Sequence, residues 1–196
     1  MRLNETTREF FKRLAAISPP SESMFYSNIE NPVIGKMVEE TFRRNNIMLN
    51  STLRTSISPN IIKGGFRSNV IPGDAEVTLD IRALPDEDMN EFIAQLKRII
   101  NDPAVEVIPP TRNRPSTPAS RLDSDLFRAL EKAQAKVFPG VETLPVMFTA
   151  ATDSAQLRAK GVQAYGLGSL LTEEDRARMH STTNDCRSKV SANSSS

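Results

Sequence analysis

Residues 68–88 read SNVIPGDAEVTLDIRALPDED, and no other stretch constrains the fold as strongly. From Glu76 to Arg82 the polarity alternates with a period of two, the signature of a half-buried β-strand. Val77, Leu79 and Ile81 point one way, toward a core, while Glu76, Thr78, Asp80 and Arg82 point the other. Pro72-Gly73-Asp74 supplies turn chemistry. The stretch therefore reads as a β-hairpin, with residues 66–71 as one arm and residues 75–82 as the other. Residues 53–62, rich in Thr, Ser and Ile, are extended as well, and Gly64-Gly65 interrupts the run as a bulge or bend. Leu84-Pro85 ends the second arm, and the acidic Asp86, Glu87 and Asp88 suit a helix N-terminus. Met89, Phe92, Leu96, Ile99 and Ile100 are the buried stripe expected of that helix, which closes at Asn101-Asp102-Pro103. Residues 105–108 follow as a short strand.

Upstream, Thr6 and Glu9 form a T-x-x-E capping box ahead of an amphipathic helix carrying Phe10, Phe11, Leu14 and Ile17. Ser18-Pro19-Pro20 stops it, and residues 21–31 read as a loop. Asn31 as N-cap and Pro32 at the first position start a second helix, with Val33, Met37, Val38 and Phe42 as its apolar positions, fading at Asn45-Asn46. Residues 109–118, PPTRNRPSTP, hold four prolines in ten residues and mark a linker. The hairpin, helix and edge strand before it suggest an α+β layer of the split βαβ type that lacks its first strand.

Beyond the linker, Leu122, Leu126, Leu130, Ala133 and Val137 mark a helix over residues 123–138. Residues 145–149 read as a strand, SAQLRAK as a helix capped by Thr152 or Asp153 and ended by Gly161 at C′, and residues 162–167 as another strand. This β–α–β order suggests a parallel α/β layer.

Net charge is +1, which gives no field favouring nucleic acid or an anionic membrane. No apolar run approaches the roughly 18–20 residues of a membrane span. The N-terminus, MRLNETTREFFKRL, has no secretory apolar core, which argues for a cytoplasmic chain as written, with export open if the natural start lies upstream. Cys186 is the one cysteine, so an intrachain disulfide or cysteine metal cage is excluded.

Few residues carry candidate chemistry. His180 is the one histidine; taken alone it is either a solvated side chain or a single metal ligand. Thr152-Asp153 reads as a helix cap, or as a helix start whose amides face an anion. Arg82 is either half of a solvated pair with Asp80 or a carboxylate fork, a task that suits a planar guanidinium better than an ammonium. Asn69 is either a turn residue or a substrate contact. Neither GGFRSN nor GLGSLL fits a nucleotide loop.

Together these motifs resemble the M20 family of zinc metallopeptidases, which includes glutamate carboxypeptidases, aminoacylases and succinyl-diaminopimelate desuccinylases. Asn69, Ile71, Pro72, Asp80 and Arg82 match the N-x-I-P and D-x-R pattern of its lid, or dimerisation, domain. TAATDSAQLRAKGVQAYGLGS resembles a strand–helix–strand of its catalytic domain, and His180 matches the last metal-ligand histidine. The resemblance implies that Asn69 and Arg82 reach substrate, that Arg82 takes a substrate carboxylate, and that Ala151 and Thr152 line the floor. It also implies that His180 ligates one of two zinc ions. It implies an incomplete ferredoxin-like α+β lid over residues 1–110 and the C-terminal α/β part of a catalytic domain over 111–188, while the low compositional complexity of 189–196 predicts a disordered tail.

The chain departs from the family in several places. The H-x-D motif of the family's N-terminal half, with the catalytic Glu-Glu pair and bridging carboxylate that belong to it, has no counterpart here, and position 151 is Ala where Gly is commoner. The full zinc site is therefore absent here, and no residue of this chain is assigned as catalytic. The implied function is hydrolysis of an amide in a carboxylate-bearing peptide or N-acyl amino acid, with the chain inactive alone. A homodimer through the lid is the implied assembly, and an N-terminal catalytic half is a further possible partner. The alternative is a non-catalytic dimerisation or binding module. A sheet lacking its first strand exposes an edge, which favours self-association.

Overall fold

The computed structural model describes residues 1–110, 117–150 and 152–168. The chain divides into two compact units, Met1–Ala164 and Tyr165–Ser196. Of the second unit, residues 165–168 are described.

The first unit opens with α1 (Glu5–Ile17). Its cap is Asn4, not Thr6. Asn4 Oδ1 accepts from the Thr7 amide at 2.9 Å, and Thr7 Oγ1 accepts from the Asn4 amide at 2.9 Å. This reciprocal pair closes a capping box two residues earlier than expected, and Glu9 is left to bind Arg13. Residues 21–27, part of the loop expected over 21–31, instead join Pro20 in α2 (Pro20–Ser27). Pro20 ends one helix and begins the next, because its missing N–H is one that a first turn leaves unbonded anyway. Asn31 does cap α3 (Ile34–Asn45): its Oδ1 accepts from the amides of Val33 and Ile34 at 2.9 and 3.1 Å. Val38 and Phe42 face inward as expected, but Val33 and Met37 are solvent-exposed. Asn46 then caps a short α4 (Ile47–Ser51).

These four helices hold the core. Phe11, Ile29, Val38, Phe42, Leu49 and Leu53 pack together, with Leu3, Phe10, Leu14, Phe25, Tyr26 and Ile34 against them. Phe11 is at the centre: it stacks on Phe42 with centroids 5.7 Å apart, lies 5.9 Å from Tyr26, and meets Phe10 edge-on at 5.0 Å.

The hairpin is real, but its first arm is not residues 66–71. β1 (Ser56–Gly64) pairs antiparallel with β2 (Ala75–Arg82), from Ser56 opposite Arg82 to Gly64 opposite Ala75. Residues 65–74 are the connection. Gly65 turns the chain with φ of +70°, so the two glycines end the arm and do not bend it internally. The register shifts between Pro59 and Ile61. Proline has no N–H for the ladder, and such a bulge is where a strand tolerates it. The shift also changes which side chains share a face. Ile62, not Ile61, lies opposite Val77, so Ile57, Pro59 and Ile62 share a face with Ile81, Leu79 and Val77.

That face is not a core. Among the described residues the sheet has two strands, so nothing covers the ribbon as a third strand would. Val77 is exposed, and Leu79 and Ile81 are half-buried. The helix that follows, α5 (Met89–Ile100), is capped by Asp88, whose Oδ1 accepts from Asn90 and Glu91 amides at 2.9 and 3.1 Å. Its expected buried stripe is at most half-buried, and Ile99 is open to solvent. Residues 105–108 join no ladder. Asp102 and Val105 instead close a turn, N to O at 3.1 Å. The described residues thus form a small α+β unit with one antiparallel ribbon, without the further strands of a ferredoxin-like sheet.

The base of the ribbon is firmly held. Leu84 is buried, its amide donates to Thr55 Oγ1 at 3.2 Å, and Thr55 in turn donates to Glu87. Arg2 reaches Asp86 and Glu87 at 3.1 and 3.2 Å.

α6 (Asp125–Val137) starts one turn after Arg121, with Ser124 Oγ accepting from the Phe127 amide at 3.0 Å. Its inner residue is Phe127, with Leu130, Glu131 and Gln134 half-buried beside it; Leu126 and Val137 are exposed. Arg13 fixes this choice of face. Its guanidinium lies 5.9 Å from the Phe127 ring and binds Glu131 at 2.5 Å, Glu9 at 2.7 Å and the Thr143 carbonyl at 2.9 Å. α7 (Ser154–Ala159) ends as expected at Gly161, where φ is +79°. The Gly161 amide donates to Arg158 O at 2.8 Å and the Val162 amide to Leu157 O at 3.0 Å, a Schellman pair.

The strands expected at 145–149 and 162–167 do not form among the described residues. Ala164 instead exchanges bonds with Ser120 Oγ, at 3.0 and 2.8 Å. A parallel α/β layer is therefore not part of what is described. A strand needs a partner backbone to bond with, and among the described residues neither segment pairs with another strand.

Replacing Phe11 with Ala should cost about 3–5 kcal/mol, the usual penalty for emptying a buried aromatic site. Urea unfolding followed by far-UV circular dichroism measures it. Arg13 holds the Glu9 carboxyl below its ordinary 4.5, chiefly through their hydrogen bond. A depressed carboxylate stabilises the fold above the unfolded-state value, and that contribution is lost as pH falls through the folded-state value. Stability should therefore decline below about pH 4.5, and Arg13→Gln should flatten that decline in thermal melts taken across the acid range.

Candidate functional site at the end of the hairpin

Arg82 is the last residue of β2 and lies opposite Ser56, the first residue of β1. Asp80, two positions earlier, points to the same side of the strand. Arg82 Nε donates to Asp80 Oδ2 at 3.0 Å, and Nη2 lies 2.9 Å from the same oxygen. Nη1 donates to the backbone carbonyl of Thr149 at 3.1 Å, across 67 positions of sequence. The guanidinium remains about half exposed, at 53 %.

Thr149 stands at the end of an irregular run that begins at Thr143. Arg13 holds the start of that run through the Thr143 carbonyl, and Asn4 Nδ2 reaches Met147 Sδ at 3.4 Å in its middle. The run is thus laid from α1 and α6 toward the end of the ribbon. Thr152 follows three residues later and is exposed at the start of α7. Asp153 occupies the N-cap position of α7 but makes no side-chain cap bond. The side-chain cap expected from Thr152 or Asp153 is therefore not made.

Asn69 lies in the exposed connection between the strands and makes no hydrogen bond to Arg82 among the described residues. Its neighbours form a shallow, open concavity lined by Gly64, Gly65, Phe66, Arg67, Val70 and Pro72. Arg67 sits 5.8 Å over the Phe66 ring, and Phe66 and Ile71 are strongly exposed. Ala151, His180 and Cys186 lie outside the described residues. Of the candidate site residues, then, Arg82 meets the segment that leads to Ala151 and Thr152, while Asn69 stands apart in the connection. The Thr149 carbonyl was invisible to sequence reasoning, because a backbone acceptor has no residue-type signature. Among the described residues, no group of three or more His, Cys, Asp or Glu side chains gathers where a metal could sit.

Residues 28–108 match a known family, the peptidase dimerisation domain of M20 peptidases. A probable carboxypeptidase S-like 2 from Dictyostelium discoideum is 30 % identical over 106 residues, covering 54 % of this chain and 20 % of that protein. Aminoacylase-1 from Mus musculus is 29 % identical over 133 residues, covering 64 % of this chain and 32 % of that protein. The N-fatty-acyl-amino acid synthase/hydrolase PM20D1 from Homo sapiens is 30 % identical over 130 residues, covering 64 % and 26 %. The chain thus spans between 20 and 32 % of the length of these relatives. No solved structure matches it. The hairpin motif, the matched domain and these relatives together support an M20 family peptidase segment that includes a dimerisation domain.

Proposed function

We propose that this chain is part of a metal-dependent M20-type amide hydrolase, supplying a lid (residues 1–110), a C-terminal portion of the catalytic domain (111–188) and a tail (189–196). Arg82 takes the carboxylate of a peptide or N-acyl amino acid, Asn69 contacts the same substrate, and Ala151 and Thr152 line the floor beneath it. His180 contributes one imidazole to a zinc site. Two copies associate through the lid. The observation that supports this reading is the bond from Arg82 to the Thr149 carbonyl, which joins this guanidinium to the stretch of chain just before residues 151 and 152. The names of the relatives agree with the substrate class: an aminoacylase and an N-fatty-acyl-amino acid synthase/hydrolase both handle acylated amino acids.

The described residues do not by themselves make up a metal's donor set. What the chain's own groups contribute is recognition and orientation. A guanidinium that binds the substrate carboxylate in two parallel hydrogen bonds fixes both the position and the plane of that end of the molecule.

N-acetylglycine, the simplest carboxylate-bearing N-acyl amino acid, should bind saturably to the purified chain by NMR titration and fail to bind Arg82→Gln. With zinc added, the chain alone should hydrolyse nothing. An amidase rate above buffer that disappears in His180→Ala would overturn the assignment of the missing groups to other parts of the enzyme. Sedimentation velocity should show a concentration-dependent dimer, and a monomer at every concentration removes the lid-mediated assembly.

A further inference from the structure

We infer that Asp80 is a positioning residue, which presents the Arg82 guanidinium with its outer fork open to a substrate carboxylate. This inference rests on the reading of Arg82 as a carboxylate fork. A guanidinium has five N–H donors in a fixed plane. Three are engaged here. Nε and one hydrogen of Nη2 face Asp80 Oδ2, at 3.0 and 2.9 Å, and one hydrogen of Nη1 goes to the Thr149 carbonyl at 3.1 Å. Among the described residues no other bond engages the two Nη atoms, which leaves donor capacity on both for a substrate carboxylate. Two anchors on different nitrogens restrain the long side chain from turning. An arginine held this way has already lost much of the rotamer freedom it would otherwise give up on binding.

The arrangement follows from the strand. Residues i and i+2 share a face, so Asp80 meets the inner side of Arg82 without any loop to order. Register places Ser58 opposite Asp80 and Ser56 opposite Arg82, so no cross-strand side chain carries a charge that competes for either group. Asp80 also lowers the net positive charge that a substrate meets. Its effect on affinity is therefore the sum of an orienting gain and an electrostatic loss, and a useful test must separate the two.

Asp80→Asn and Asp80→Ala remove the same charge, but Asn keeps an acceptor oxygen facing Nε and Ala does not. If Asp80 positions Arg82, N-acetylglycine should bind Asp80→Ala about fivefold more weakly than Asp80→Asn, reflecting the arginine freedom restored. In the same samples, the Arg82 Nε–H resonance should remain slow to exchange with water in Asp80→Asn and be lost to exchange in Asp80→Ala. Equal affinity in the two variants overturns the inference while leaving the fork in place, provided Arg82→Gln still abolishes binding. If Arg82→Gln binds as well as the parent chain, the fork itself is wrong and the inference falls with it. Both Asp80 variants lie on an exposed ribbon face, and unchanged amide spectra for β1 and β2 verify that the comparison is made between folded chains.

Discussion

The stacking of Phe11 on Phe42 joins two helices that the sequence places far apart, and most of the remaining structure is arranged around it. Phe11 is 1 % exposed, and the residues that close around it come from all four N-terminal helices and their connections. Burial of this size is the dominant favourable term available to a small unit. It fixes the rotation of α1, and that rotation has a second consequence. With Phe11 turned inward, Arg13 is turned toward α6, where it meets Phe127, Glu131 and the Thr143 carbonyl. One packed face therefore orients one polar hub, and the hub lays down the irregular run that ends at Thr149.

The ribbon shows the opposite balance. Its base is tied to the rest of the molecule through Leu84, Thr55, Glu87 and Arg2, while its tip and its apolar face are open. A two-stranded sheet cannot cover its own face, and an open edge is a place where another strand or another molecule can add. The bulge after Pro59 gathers Ile57, Pro59 and Ile62 onto the side of Val77, Leu79 and Ile81, so the exposed apolar surface is concentrated on one side. An exposed apolar side of this kind is suited to association.

Arg82 connects the two halves of this picture. It belongs to the anchored end of the ribbon, and it donates to a carbonyl whose position is set by the helical core through Arg13. The fork is held by groups of unlike origin: Asp80 by strand periodicity, Thr149 by tertiary packing. A charged pair at this level of exposure contributes little to stability. Its value lies in where it holds the guanidinium.

Several features were set by the sequence alone. The strand period from Ala75 to Arg82, the Asn31 cap, the acidic start of α5, the Gly161 stop and the M20 motif were legible because each depends on residue type and short spacing, which local chemistry enforces. The first arm of the hairpin was misplaced because residues 66–71 and 56–64 both look extended, and which one pairs is settled by register over the whole ribbon. The buried stripes of α5 and α6 were misjudged because periodicity identifies an apolar face without saying whether anything will cover it. On α6 the winning face was chosen by Arg13, a residue more than a hundred positions away. Pairing Arg82 with the Thr149 carbonyl was likewise a decision of tertiary structure. A backbone acceptor has no side-chain identity, so only the folded path of the chain can bring it to a guanidinium.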